Sequence, residues 1–383
     1  MGSLTRWGML DSLDAMRPSL PWPERLLIVG PVGLGDALVA LPTLRRIQQA
    51  SPRTQLTWIG RAAYRPIVAM LGVQAFRASD DLAGLALQRF DAIISFADVG
   101  PAALGAIDRL AAVPIRVGRA SARSRPRWFN HLVHTSRFGW PRHEAQRNLR
   151  LLLPFGHGGA ASPAELRGAR PLEPASATLP GDLPAQGHVV LHPFSMGHGR
   201  EWPMQHWIDV ARALASDDVP VVFTGSPAER ERLAQAWPPA QRPAGVADAS
   251  GRLDLAQLSV LLYGAAAMAA CSTGPLHLAA ALGTPALGLF APRKGVALDR
   301  WAPLGAAAVG VQAHRHCPHG RRCENGRCPC MVALVPQPVA LALRPGPQRR
   351  LNIEPLASCV ISAPALGTDP AATLARSPTG DPT

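Results

Sequence analysis

The chain has 383 residues, which at roughly 150 residues per domain allows two to three domains. It is 47% hydrophobic and 17% charged, which excludes a wholly disordered chain, and its net charge of +13 is almost all arginine, Lys294 being the only lysine. No apolar run approaches the roughly 18 residues of a spanning helix, and the N-terminus lacks the pattern of an export signal, so a cytoplasmic protein is expected.

Residues 1–24 lack a pattern and read as a loose leader. Arg25–Gly30 is a short apolar strand run. The turn Pro31-Val-Gly-Leu-Gly-Asp36 follows, then a helical pattern carrying Leu38, Leu41, Leu44 and Ile47. Gln55–Gly60 is a second strand and Tyr64–Leu71 a helix. Asp91–Phe96 and Ile115–Gly118 are further strands. Strands alternating with helices imply parallel βαβ units, an α/β class.

Residues 155–187 are rich in Gly, Pro, Ala and Ser and read as a linker between a domain at 25–154 and one at 188–343. The alternation restarts beyond it. Strands are expected at His188–His192, Val219–Thr224, Ala265–Ala270 and Pro285–Phe290, the last clear one. Helices are expected at Met204–Leu214, from Ala228, at Leu255–Tyr263 and from Gly274 to Leu282. Residues 344–383 are proline-rich without periodicity and read as a disordered tail.

The first candidate site is Gly30-x-x-Gly33-x-Gly35-Asp36. It lacks the third glycine of a dinucleotide fingerprint, which excludes a Rossmann dehydrogenase. Asp36 has two readings: a helix N-cap, or a carboxylate at a strand end that takes a proton. The second is His192-Pro-Phe-Ser195 followed by Arg200-Glu-Trp202-Pro203, where Arg200 is either a phosphate clamp or a surface arginine. The third is Cys271-Ser272-Thr273-Gly274-Pro275-Leu-His277. Its small residues open a helix whose free N–H groups favour an anion, with His277 as ligand contact or core residue. Glu229, after Gly225-Ser-Pro, could accept from a ribose, or is an ordinary first-turn acid.

Between Arg109 and Arg150 stand ten arginines and a single acid, Glu144. Such a block suits phosphates on an anionic membrane or nucleic acid, or is a solvated face. It has no aromatic-interleaved or groove-reading motif, so no nucleic-acid partner is expected. The cysteines at 317, 323, 328 and 330 lack paired C-x2-C spacing. They read as a reduced structural loop or, helped by His314, His316 and His319, a metal site; no metal is assigned.

Taken together, Gly-Leu-Gly-Asp36-x5-Pro42, the His-Pro…Arg-x-Trp-Pro segment and Thr273-Gly-Pro-Leu-His-Leu-Ala-Ala-Ala-Leu-Gly-Thr-Pro285 resemble glycosyltransferase family 9, over about residues 25–343. These are ADP-heptose:lipopolysaccharide heptosyltransferases. The cysteine cluster running into Cys330-Met331 resembles the same family's C-terminal region. The resemblance implies a GT-B fold, two Rossmann-like parallel-sheet domains facing a central cleft, and no cofactor. It implies Asp36 as general base, and Ser195, Arg200, Glu229, Ser272, Thr273, Gly274 and His277 around an ADP-heptose donor. Gly33, Gly35, Arg119 and Arg123 are the acceptor-side candidates, with a lipopolysaccharide core acceptor and peripheral contact with the inner membrane. One departure is Ser272, where the family usually carries Asp. It keeps open a diverged protein that binds a nucleotide sugar or glycan with weak or no turnover, or a transferase using another nucleotide sugar.

Overall fold

The first sheet consists of β1 (Arg25–Val29), β2 (Gln55–Gly60), β3 (Ala75–Ala78), β4 (Ala92–Ser95), β5 (Ile115–Arg119) and β6 (His131–Val133). All its pairings are parallel, in the order β3-β2-β1-β4-β5-β6. Ile28 of β1 stands between Trp58 of β2 and Ile94 of β4. The structure, a computed structural model, describes residues 19–31, 33–79, 89–97, 110, 112–120, 128–135, 143–167, 171–195, 200–293, 295–314, 316–317, 328–346, 350–356 and 359–362.

The helical stretch after β1 is two helices, α1 (Leu34–Leu38) and α2 (Leu41–Ala50). Pro42 has no N–H to donate to the carbonyl of Leu38, so the ladder breaks and restarts with proline in the new first turn. Then come α3 (Arg65–Met70), α4 (Glu144–Leu149) and α5 (Pro163–Arg167).

The second sheet consists of β7 (Val189–His192), β8 (Val221–Phe223), β9 (Val246–Asp248), β10 (Ala267–Cys271), β11 (Ala286–Leu289), β12 (Ala308–Gln312) and β13 (Val360–Ser362). Its order is β9-β8-β7-β10-β11-β12-β13, parallel except for β13. Its helices are α6 (Met204–Ala215), α7 (Pro227–Ala236), α8 (Leu255–Gly264), α9 (Gly274–Ala281), α10 (Leu298–Trp301), α11 (Pro329–Val332) and α12 (Pro336–Leu343).

Side chains alternate across each strand, which explains why the strand sequences are apolar throughout: both faces are covered. In β1, Leu26 and Ile28 enter one buried cluster, while Leu27 and Val29 enter another on the opposite face. In β7, Val190 enters the first cluster and Val189 and Leu191 a third. The first cluster therefore draws on both sheets, and it holds the two lobes together.

Three sequence expectations change. The leader is not loose over residues 19–24: Leu20 N–H donates to Pro154 O at 2.8 Å, and Trp22 stacks on Phe155 at 5.0 Å. Residues 1–18 lie outside the described residues. The tail is not wholly disordered, because β13 pairs with β12 and Leu356 is buried. Nor is the strand ending near Phe290 the last, since β12 and β13 follow. No described helix is long and apolar enough to cross a membrane.

Candidate active site

Both sheets reverse their strand order beside their first strand, and ligands of such sheets meet the carboxyl ends of the strands there. The reversals lie between β1 and β4 and between β7 and β10. Gly33, Gly35 and Asp36 follow β1, Ser195 and Arg200 follow β7, and Ser272, Thr273, Gly274 and His277 follow β10. Glu229 lies beyond β8.

Gly33 is the N-cap of α1, and Ala37 N–H donates to its carbonyl at 3.1 Å. Asp36 lies in the first turn of α1, behind the Gly33 cap, and its carboxylate accepts from its own backbone N–H, so it is a first-turn acid and not the N-cap. Burial pushes its carboxyl up to about 6; Glu144 adds to the rise, and Arg119 and Arg300 oppose it. A carboxylate with that proton affinity is mostly ionised at neutral pH and is a better base than an exposed aspartate.

The start of α1 abuts the start of α9. A Cβ on Gly35 would lie 3.0 Å from His277 Cδ2 and 3.6 Å from Gly274 Cα. A Cβ on Gly274 would lie 2.8 Å from Leu34 Cβ. Only glycine permits so close an approach, and it sets the turn of α1 that carries Asp36 against the opening turn of α9. Thr273 is the backbone N-cap of α9, without a side-chain cap. The first N–H groups and the helix dipole therefore favour an anion there.

Among the described residues, Thr273 Oγ1 and His277 Nδ1 are buried without a hydrogen-bond partner. Burial, then His143, push His277 down to about 3, so its ring is neutral. It lies edge-on to Trp301, ring centres 6.2 Å apart. His277 is a packed residue of the joint and not a cation facing a diphosphate.

A buried ionic cluster adjoins Asp36. Glu144, 3% exposed, receives Arg119 Nη1 at 2.5 Å and Arg147 Nη1 at 3.4 Å. Arg300, from the second lobe, adds Nε and Nη2 at 3.0 Å each. Burial raises the proton affinity of Glu144, but Arg119, Arg300 and Arg147 outweigh it and hold the carboxyl below its usual range. Next to it, His143 Nδ1 accepts from Ala145 N–H at 3.2 Å, so Nε2 carries the proton and donates to Ala302 O at 3.0 Å. Glu144, His143 and Arg300 were not singled out as site residues. The only sequence signal for them is one acid among ten arginines.

The arginine block is not a free phosphate-binding face where it is described. Arg116 Nε donates to Trp128 O at 2.9 Å, Arg150 Nε to His134 O at 3.1 Å, and Arg147 pairs with Glu144. Arg119 is committed to Glu144 and to Asn148 Oδ1, so it acts on the site through its charge. Arg123, with Arg109, Arg125, Arg127, Arg137 and Arg142, lies outside the described residues.

A second polar group surrounds the end of β7. Ser195 N–H donates to Glu201 Oε1 at 3.2 Å, and Glu201 Oε2 pairs with Arg232 at 2.6 Å. His192 Nδ1 lies 3.0 Å from Thr224 Oγ1, and burial pushes this histidine down to about 4. Glu229 forms a capping box with Ser226, accepting Ser226 N–H at 2.7 Å. Its side chain also lies against Gly225, where a Cβ would come 3.3 Å from Oε2. Among the described residues, Arg200 Nε is buried without a partner. Trp202 is anchored by its Nε1–H to Leu334 O at 2.7 Å.

Cys317 and Cys330 lie 4.0 Å apart, Cys328 is buried nearby, and Cys323 and His319 are outside the described residues. Among the described residues, no group of three or more His, Cys, Asp or Glu gathers as for a metal ion. A cavity of about 380 Å³ lined by Arg212, Gln241 and Arg242 lies at the amino ends of β8 and β9, away from these residues.

A family model described as glycosyltransferase family 9 (heptosyltransferase) matches residues 83–327. Lipopolysaccharide heptosyltransferase 1 of Pseudomonas aeruginosa is 38% identical over 96 residues, 24% of this chain and 25% of that protein. Lipopolysaccharide core heptosyltransferase OpsX of Haemophilus influenzae is 23% identical over 292 residues, 70% of this chain and 79% of that protein. The structure of E. coli ADP-heptose lps heptosyltransferase II superposes with a TM-score of 0.65 at 19% identity, over 82% of this chain and 96% of that one. That likeness gives the two-sheet architecture as GT-B. With the family model matching residues 83–327, from β4 to β12 and well over half of the chain, the chain belongs to glycosyltransferase family 9, the heptosyltransferases, and is a glycosyltransferase.

Proposed function

We propose that the chain transfers heptose from ADP-heptose to a lipopolysaccharide core acceptor by a single inverting displacement, with Asp36 as general base. The observation that carries this is the contact between α1 and α9, which sets a carboxylate with raised proton affinity beside an uncapped helix start. An acceptor hydroxyl attacks the anomeric carbon while Asp36 takes its proton. Positive charge develops on the sugar and negative charge on the leaving diphosphate. The opening N–H groups of α9, with Ser272, Thr273 and Gly274, cradle that diphosphate, and Arg200 adds the fixed positive charge. Ser195 and Glu229 line the nucleoside end of the donor site; Gly33 stays on the acceptor side as the cap of α1, and Gly35 serves the close approach of α9 and not that of the acceptor. The acceptor is a phosphorylated, membrane-embedded precursor, so the enzyme works at the cytoplasmic face of the inner membrane through peripheral contact.

The test is transfer from ADP-heptose, followed by mass detection of the product. Asp36→Asn should lower the rate by about 10²–10⁴-fold, the range for a lost general base, while ADP still binds by titration calorimetry. Full activity in that variant removes the base assignment. Transfer of a different sugar only would move the donor assignment and leave the mechanism standing.

A further inference from the structure

Glu144 is a buried carboxylate in the lobe that also carries Asp36, and it raises the proton affinity of Asp36. Within its own lobe it is paired with Arg119 and Arg147. The remaining compensation comes from the other lobe. Arg300 lies on α10 and delivers Nε and Nη2 to Glu144 Oε2, both at 3.0 Å, across 156 positions of sequence. The same segment is pinned by His143 Nε2–H to Ala302 O at 3.0 Å. We propose that Arg300 is a positioning residue for the acid–base centre: by pairing with Glu144 across the joint it cancels negative charge beside Asp36, so that Asp36 is a fully competent base only when the lobes are together. This rests on the reading of Asp36 as general base.

The charged and titratable groups around Asp36 set the sign of each test. Those that act on Asp36 directly are Glu144 on α4, Arg119 on β5 and Arg300 on α10; behind them stand Arg147 on α4, His143 at its cap, Asp299 on α10 and His277 on α9. Burial pushes both histidines down, and His143 Nδ1, which accepts from Ala145 N–H, marks that ring as neutral in this structure. Removing Arg300 leaves Glu144 less compensated and makes Asp36 harder to ionise. Neutralising Glu144 does the opposite.

The experiment is kcat/KM for heptosyl transfer as a function of pH, in the wild type and in Arg300→Gln, Arg300→Lys and Glu144→Gln. The acid limb should move up by about half to one pH unit in Arg300→Gln and move down in Glu144→Gln, with Arg300→Lys near the wild type. A merely structural role would lower all rates without shifting the limb in opposite directions. If Glu144→Gln does not fold, the two Arg300 variants carry the test, since Arg300 exposes a third of its side chain. An unmoved limb in Arg300→Gln, with Asp36→Asn inactive, overturns this proposal alone. An active Asp36→Asn overturns the base reading and this proposal with it.

Discussion

Asp36, the proposed general base, is a buried carboxylate that works against the stability of its own fold. Burial raises its carboxyl from 3.8 to about 6, with Glu144 adding to the rise. Its folded-state proton affinity therefore exceeds the unfolded value. The stabilising contribution of the protonated form is complete below about pH 4 and is lost as pH rises through about 6. Above that, the folded chain holds a buried charge at a cost of up to roughly 3 kcal/mol. Asp36→Asn should thus be more stable than the wild type at pH 8, and the gain should vanish by about pH 4. Urea midpoints at the two pH values check this; an equal or lower midpoint at pH 8 would show that the carboxylate is well solvated. The place of Asp36 in a glycine turn after a strand was legible in the sequence. Its environment was not, because Arg300 is brought to Glu144 only by the tertiary fold.

At the scale of elements, legibility followed apolar content. β1, β2 and β7 were read close to their observed bounds because each is a run of residues with both faces buried. β3 (AFRA), β6 (HLV) and β9 (VAD) carry no strand signal in the sequence because they are short and hold polar residues, and only pairing with a neighbour makes them strands. The contact between α1 and α9 was likewise invisible, although both glycines that permit it stood in the quoted motifs. It gives a sharp test. Gly274→Ala places a methyl 2.8 Å from Leu34 Cβ, part of a main-chain-bound atom set that cannot swing aside. The helices must separate, at a cost of about 1–3 kcal/mol, and transfer should fall at least tenfold as Asp36 moves away from the proposed donor site. Gly181→Ala meets nothing within 4 Å and should stay within about 0.5 kcal/mol of the wild type. Equal behaviour of the two variants in urea melts and rate assays would remove the close approach from the account.

For the molecule as a whole, the decisive feature is that the largest buried cluster belongs to neither lobe alone. Leu26, Ile28 and Trp58 from the first sheet share it with Val190, Met268 and Ala270 from the second, and Leu276 and Leu278 of α9 lie in it. Parting the lobes fully would expose apolar surface at about 25 cal/mol per Å², and it would also break Arg300–Glu144 and His143–Ala302. Each sheet keeps its own outer core, so each lobe could in principle melt separately. The shared cluster argues against that: loss of one lobe strips one wall from the core of the other. Scanning calorimetry should therefore show one transition. ADP, which the proposed donor site would hold on the second lobe, should move all of it upward, by about 2.7 kcal/mol at a hundredfold excess over its dissociation constant. Two transitions, of which ADP shifts only one, would mean that the joint is a contact between independent bodies. In that case the coupling of Arg300 to Asp36 would depend on transient encounters of the lobes and not on a standing interface.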